Sequence, residues 1–365
     1  MMGSTSEPCL FVAISSHGFG HLAQSAPVVN ALRETLPSLR VVVQSTHPRA
    51  LLASQLRGEF EQICQPTDIG MLMSGSLDVA AQESAAEYLR FHREWERRVE
   101  RQSRLLQRYR PDAVLANVPY LLPAAADRAG IPCVSLCSLN WLDIYDSYCG
   151  NHPEADRIRQ QMLEAYRAAT LFLQPRPSMP MVTLPNRREI GPIARRGRSW
   201  RALLNRELDL EKGEKLVLIS LGGIHTPLPL GQWPAMPGVR FLVPGGDVPD
   251  CRHILSAASL ELSHIDLLCS CDALITKPGY GSFAEAACNQ IPVLYVPRDG
   301  WPEAPFLISW LQKAVACCEI SRSMLEQGAF EVQLRRLFAE KPRTPMEPTG
   351  IADATEALLP LLQRN

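Results

Sequence analysis

The chain of 365 residues is longer than one ordinary domain and reads as two, each of roughly 150–200 residues. Hydrophobic residues make up 46% and charged ones 21%, the balance of a soluble globular protein with a sizeable core. The 37 Lys and Arg against 38 Asp and Glu leave no bulk charge to draw nucleic acid or an anionic membrane.

Taken in chain order, CLFVAIS (9–15) reads as a strand and HLAQSAPVVNALRET (21–35) as a helix. LRVVVQS (39–45) is a second strand, followed by a helix through PRALLASQLR and a long charged helical stretch over 80–110. DAVLANV (112–118), IPCVSLCS and ATLFLQ (169–174) read as strands, with the helix LLPAAADRAG after the first and ATLFLQ closing this half. Strands alternating with helices imply right-handed βαβ units and a parallel, doubly wound sheet. Residues 175–200 hold five prolines, and the arginines Arg195, Arg196, Arg198 and, just beyond, Arg201 form a cluster. They read as an extended, solvated connection.

A second alternating series follows: EKLVLISLGG (214–223), VRFLVPGG (239–246), LELSHI (260–265), DALITK (272–277) and IPVLYVP (291–297). Helices are expected at 281–289, 303–314, 321–340 and 351–363. The predicted fold is therefore α/β, two Rossmann-like parallel-sheet domains facing across a cleft. The expected division is 1–185, 186–350 and a C-terminal helix within 351–365 that packs back on the first domain. The 11 cysteines are scattered with no C-x-x-C pair, unlike a zinc framework or a secreted disulfide scaffold. Residues 1–8 do not resemble a signal peptide, and no apolar window reaches about 18 residues. A cytoplasmic protein without a transmembrane segment is expected, with peripheral membrane association left open.

The stretch SSHGFGHLAQ (15–24) carries the first chemistry. His17 and His21 have the i, i+4 spacing of a metal pair, but Gly18 and Gly20 lie between them and disfavour a helix there, and no third ligand is near. No metal is expected. Gly18, Gly20 and Ala23 satisfy the glycine pattern of a dinucleotide site. The acid that should close the second strand is absent, because that strand runs out as Gln44-Ser45-Thr46-His47. Arg49 nearby keeps an NADP-type site open as a distant alternative. The remaining reading is a glycine turn that leaves His21 at a helix start, where the dipole favours the neutral imidazole that a general base needs.

Residues 264–306 carry the second constellation. The strand DALITK runs into Pro278-Gly279-Tyr280-Gly281, and Ser282 is expected to open a helix whose N–H groups, with Lys277 alongside, suit an anion. Glu285 stands in capping-box spacing from Ser282. Gly222 and Gly223 supply a further glycine turn, and Asp299 and Glu303 follow the next strand, where carboxylates suit sugar hydroxyls.

This stretch resembles the donor-binding region of GT-B glycosyltransferases, most of all the peptidoglycan N-acetylglucosaminyltransferase and plant UDP-glycosyltransferase types. KPGYGSFAEAACNQIPVLYVPRD and the early HGFGH also resemble the glycosyltransferase-like segment at the front of arabinokinases. The resemblance implies that His264 and Ile265 face a nucleotide base, Glu285 the ribose, and Gly279, Gly281 and Ser282 the diphosphate. It implies Asp299 and Glu303 at the donor sugar and His21 as the base. Two positions depart: Glu303 stands where the family has an amide, and Asn117 where the plant enzymes have an aspartate that orients the histidine. Asn orients an imidazole without stabilising its cation, and Asp143 or Asp146 are substitutes to consider.

The expected function is a metal-independent, inverting glycosyltransferase with no cofactor, using a nucleotide-diphosphate sugar, a UDP-sugar before others, and an unknown acceptor. A nucleotide-sugar hydrolase and a non-catalytic sugar-nucleotide binding module are the alternatives. The irregular loop 66–80 with Met71 and Met73, together with Trp141, reads either as an acceptor pocket or as packing.

Overall fold

A computed structural model describes residues 7–75, 78–222, 228–246 and 248–363. Among the described residues lie thirteen strands, numbered in chain order: β1 Cys9–Ile14, β2 Arg40–Gln44, β3 Glu61–Ile63, β4 Ala113–Asn117, β5 Cys133–Leu136, β6 Leu171–Pro175 and β7 Arg187–Ile190; then β8 Lys215–Ile219, β9 Val239–Val243, β10 Ile254–Ser256, β11 Ala273–Thr276, β12 Val293–Tyr295 and β13 Cys317–Glu319. The chain divides into two compact units. One comprises Met1–Ser74, Val79–Ile193 and Thr349–Asn365, and the other Gly75–Asp78 and Ala194–Pro348.

The first unit is built on a seven-stranded sheet of order β3-β2-β1-β4-β5-β6-β7 in which every pair is parallel. Its central strands are buried throughout, as the apolar runs CLFVAI and AVLAN require of a sheet covered on both faces. The strand order reverses between β1 and β4, where Ile14 pairs with Asn117. In doubly wound sheets this reversal opens a crevice beyond the carboxyl ends of the strands. The helix Gly350–Leu362 packs on the helix Gly20–Thr35 and on β7, where Asp353 Oδ2 accepts the Gly191 N–H at 2.9 Å.

The second unit repeats the plan with six parallel strands, β10-β9-β8-β11-β12-β13, and reverses between β8 and β11. Its core joins Val217, Phe241, Ile275 and Leu294 of the strands to Trp233 and Phe330.

Several elements differ from the sequence reading. The residues LELSHI form no strand: they are loop up to Ser263, which caps the helix His264–Cys269 by accepting the Asp266 N–H. The strand flanking β9 is instead the short β10. ATLFLQ does not end the first sheet, because β7 inside the proline-rich stretch pairs with β6 and carries that unit on to Ile193, past the expected boundary at 185. The stretch 80–110 is two helices, Ala81–Arg93 and Trp95–Tyr109, interrupted at Glu94, and 321–340 breaks at Gly328 into Arg322–Gln327 and Glu331–Ala339.

The arginine cluster is not a solvated run. Arg195 Nε reaches Glu285 Oε1 at 2.9 Å, Arg201 Nη1 reaches Asp272 Oδ2 at 2.5 Å, and Arg196 donates to the Cys288 carbonyl and to Glu347. These pairs tie three of the four arginines to the rest of the second unit, and the Arg198 guanidinium lies 4.5 Å over the Trp200 ring.

Candidate functional site

In the first unit the glycine turn follows β1 directly. Gly18 has φ +76°, a conformation that favours glycine, and its N–H returns to the Ser16 carbonyl at 2.9 Å. Ser16 Oγ accepts from the Thr46 N–H and hydroxyl, at 3.1 and 2.7 Å, which ties the turn to the end of β2. The helix Gly20–Thr35 begins immediately afterwards and carries His21 in its first turn, 6% exposed.

His21 Nδ1 lies 2.9 Å from Asn117 Oδ1, at the carboxyl end of β4. The two sequence-singled residues therefore meet across the strand-order reversal. Burial, opposed by the Asn117 hydrogen bond, pushes the imidazole down to about 4, so at neutral pH the ring is uncharged. Asp143 and Asp146 do not take Asn117's place. Asp143 is held by Asn140, and Asp146 is paired with Arg159. Cys137 Sγ lies 3.7 Å from the same imidazole nitrogen.

Beyond Met71 and Trp141, the sequence reading did not find the rest of this cluster. Gln24 Oε1 accepts the Asn117 amide N–H at 3.1 Å, and Gln24 Nε2 donates to Ser138 Oγ at 3.0 Å. Trp141 is fully buried, with its ring 5.1 Å from that of His17 and 5.7 Å from that of His21. Its Nε1–H donates to Asp68 Oδ2 at 2.7 Å, and burial pushes that carboxyl up to about 6. Met71 is 2% exposed, so Met71 and Trp141 are packing rather than a pocket wall. Asp68 stands in the irregular loop 66–80, where no periodicity or spacing marks it.

Two alternatives raised by the glycine pattern are addressed by position. Gln44, at the end of β2, pairs with Gln102, and the Arg49 guanidinium lies 4.6 Å over the Phe60 ring while donating to the Phe60 carbonyl. Among the described residues no group of three His, Cys, Asp or Glu is arranged to hold a metal ion.

In the second unit the candidate residues gather at the other reversal. Gly222, φ +86°, follows β8, and a side chain there would meet the Lys277 Cε at 3.4 Å. Gly223 lies outside the described residues. Lys277 follows β11, and burial together with the nearby Arg298 charge pushes its ammonium down to about 8. The next helix runs Tyr280–Asn289 with Gly279 as its N-cap, so it starts two residues before Ser282. Ser282 and Gly281 lie in its first turn, and among the described residues no side chain caps it.

Glu285 is accordingly not the acid of a capping box. Its carboxylate, 7% exposed, accepts from Arg195 and stands 3.9 Å from His264 Nδ1, while His264 Nε2 is 3.0 Å from Ser220 Oγ. Burial, opposed by the Glu285 charge, holds the His264 imidazole below its ordinary value. Ile265 is 5% exposed beside it in the same short helix. Beyond β12, Asp299 is exposed and lines a cavity with Val296, Pro297 and Ser321. Glu303 is buried and accepts from Trp301 Nε1 at 3.3 Å, and the Trp301 ring carries the Arg298 guanidinium 3.6 Å from its centre.

Two Rossmann-type sheets of this order, each with polar residues gathered at its reversal, define a chain of the GT-B glycosyltransferase fold, and solved structures agree over almost its whole length. The calicheamicin glycosyltransferase CalG4 superposes with TM-score 0.65 at 15% identity, covering 98% of each chain. Phytolacca americana UGT2, complexed with UDP-2fluoro-glucose and pterostilbene, gives 0.59 at 15% identity over 97% of this chain and 94% of that one. Arabidopsis thaliana UGT89C1 complexed with UDP gives 0.58 at 15% over 96% and 99%.

By sequence the chain is similar to L-arabinokinase of Arabidopsis thaliana, 25% identical over 346 residues that cover 90% of this chain and 32% of that protein. It thus spans about a third of the length of the curated relative it matches. No family model matches the chain. Among the described residues no helix is long and apolar enough to cross a membrane.

Proposed function

We propose that the chain is a glycosyltransferase that moves a sugar from a nucleotide-diphosphate sugar, a UDP-sugar first, to an acceptor hydroxyl with inversion and without a metal. The observation that carries this reading is the uncharged His21 imidazole, hydrogen-bonded through Nδ1 to Asn117 at the reversal of the first sheet. His21 takes the acceptor proton as the oxygen attacks the anomeric carbon, and the bond to the diphosphate breaks on the opposite side. The second unit holds the donor. Lys277 and the first turn of Tyr280–Asn289, with Gly279, Gly281 and Ser282, receive the charge that develops on the diphosphate. Asp299 accepts from hydroxyls of the donor sugar. The UDP and UDP-2fluoro-glucose held by UGT89C1 and UGT2 support a uridine nucleotide as the first choice.

One observation favours a second reading, a sugar-nucleotide binding module without turnover. Glu285, which the resemblance sets at the ribose, already accepts from Arg195, and Asn117 brings His21 no charge. Calorimetric titration of the full chain with UDP-, GDP- and TDP-sugars separates the readings. The transferase predicts binding of a UDP-sugar and product formation with an added acceptor. Binding without turnover supports the module, release of free sugar without an acceptor supports a hydrolase, and no binding of any of the three overturns the donor assignment.

A further inference from the structure

We propose that Gln24 is a positioning residue for His21, acting through Asn117 to set which imidazole nitrogen carries the proton. The inference rests on the reading that His21 is the base. Gln24, Asn117 and His21 are 2%, 0% and 6% exposed, so each polar atom must find its partner within the protein. An aspartate at position 117 would present oxygen to His21 whichever way it turned. The Asn117 amide has two unlike ends of similar shape, and only one of them accepts a proton from Nδ1.

Gln24 distinguishes those ends. It lies three residues after His21 on the same helix and so shares its face. Its Oε1 stands 3.1 Å from Asn117 Nδ2, and its own Nε2 is anchored on Ser138 Oγ at 3.0 Å. In that order donors and acceptors alternate along the whole chain of groups. Ser138 accepts from Gln24, Gln24 from Asn117, and Asn117 from His21. The Nδ1 of His21 then carries the proton, and Nε2 keeps the lone pair that a base requires. While Gln24 stays anchored on Ser138, turning the Asn117 amide would set its oxygen against Gln24 Oε1, lose that buried hydrogen bond and force the His21 proton onto Nε2, which disfavours that orientation by roughly tenfold.

The test is a long-range proton–nitrogen correlation spectrum of the full chain labelled at histidine nitrogen, with the His21 signals assigned by their loss in His21→Gln. The wild type should show a protonated Nδ1 and an unprotonated Nε2 at neutral pH. Gln24→Leu should average or exchange the two signals and lower kcat by roughly tenfold to a hundredfold with the donor KM unchanged. In an Asn117→Asp background the same Gln24→Leu change should leave both the signals and kcat unmoved, since a carboxylate has no amide to orient; a packing role would cost the same in both backgrounds. Ser138→Ala, which only loosens the Gln24 anchor, should shift the signals in the same direction by less, and carries the test if Gln24→Leu does not fold. A wild-type Nε2–H, unchanged signals in Gln24→Leu, or equal losses in both backgrounds overturns the proposal. The expected signals in a chain that transfers no sugar would uphold Gln24 and reject the transferase.

Discussion

The two sheets share one strand order and one place for polar residues, yet the chemistry gathered there differs in kind. At the β1/β4 reversal the polar groups are neutral and nearly dry: an imidazole, two amides and a hydroxyl, linked at 2.9 to 3.1 Å. At the β8/β11 reversal they are charged. Lys277 follows β11, Glu285 in the next helix pairs with Arg195, and Asp299 opens to solvent beyond β12. Moving a proton at neutral pH calls for a base kept uncharged, which burial achieves; holding an anion calls for positive charge, which burial opposes, as the Lys277 ammonium pushed down to about 8 shows. One architecture accommodates both because the residues after each strand vary while the strands do not.

The sharpest way to break this contrast is to remove the base. His21→Ala should lower the rate of sugar transfer by roughly a hundredfold to ten-thousandfold, while calorimetry finds donor affinity unchanged. A comparable loss of affinity would mean that the first unit holds the donor. Lys277→Met addresses the other half. It should weaken UDP-sugar binding by roughly ten- to a hundredfold, the loss of one charge-assisted hydrogen bond, and unchanged affinity would remove Lys277 from the anion site.

Acid stability tests the first unit's dry interior, with the smallest expected effect. His21 and His92 are both pushed down to about 4, chiefly by burial, and His92 is held between Gln161 and Tyr120 at 2.8 and 2.9 Å. Between that value and the ordinary 6.5 the unfolded chain binds the protons these rings refuse, so stability falls as the pH is lowered through this window. Asp68, pushed up to about 6, works the other way, since below that pH the folded carboxyl holds a proton that the unfolded one releases until about 3.8. Asp68→Asn should therefore make the acid loss steeper between pH 4 and 6, by up to about 1.4 kcal/mol per pH unit. Urea titrations across that range read the slope, and an unchanged slope would place Asp68 in contact with water.

Most of the fold was legible because buried parallel strands must be apolar along their length, and CLFVAI, AVLAN and KLVLI declare themselves. The strands missed were β3, β7, β10 and β13, three or four residues each and toward the sheet edges, where composition is mixed. LELSHI misled because its apolar residues alternate, although Ser263 and Asp266 carried a helix-start signal three residues apart. His21 could be singled out by its place after a strand, and Asn117, the last residue of β4, through the resemblance to the plant enzymes. Gln24 and Ser138 could not, because their partners stand 93 and 114 residues away and no local pattern announces such a pairing. The arginines after Ile193 read as solvated for the same reason, since their carboxylates lie far along the chain.

The helix Gly350–Leu362 packs on the helix that carries His21, although more than 300 residues separate them. During synthesis, which proceeds from the N-terminus at roughly 5–20 residues per second, the first unit begins first and is completed last. For that interval the second unit can finish folding while the first still lacks one of its helices. The ribosome therefore releases an order of assembly that inverts the order of the sequence, and a ribosome stalled before Thr349 would leave exposed the apolar side of the helix that carries His21.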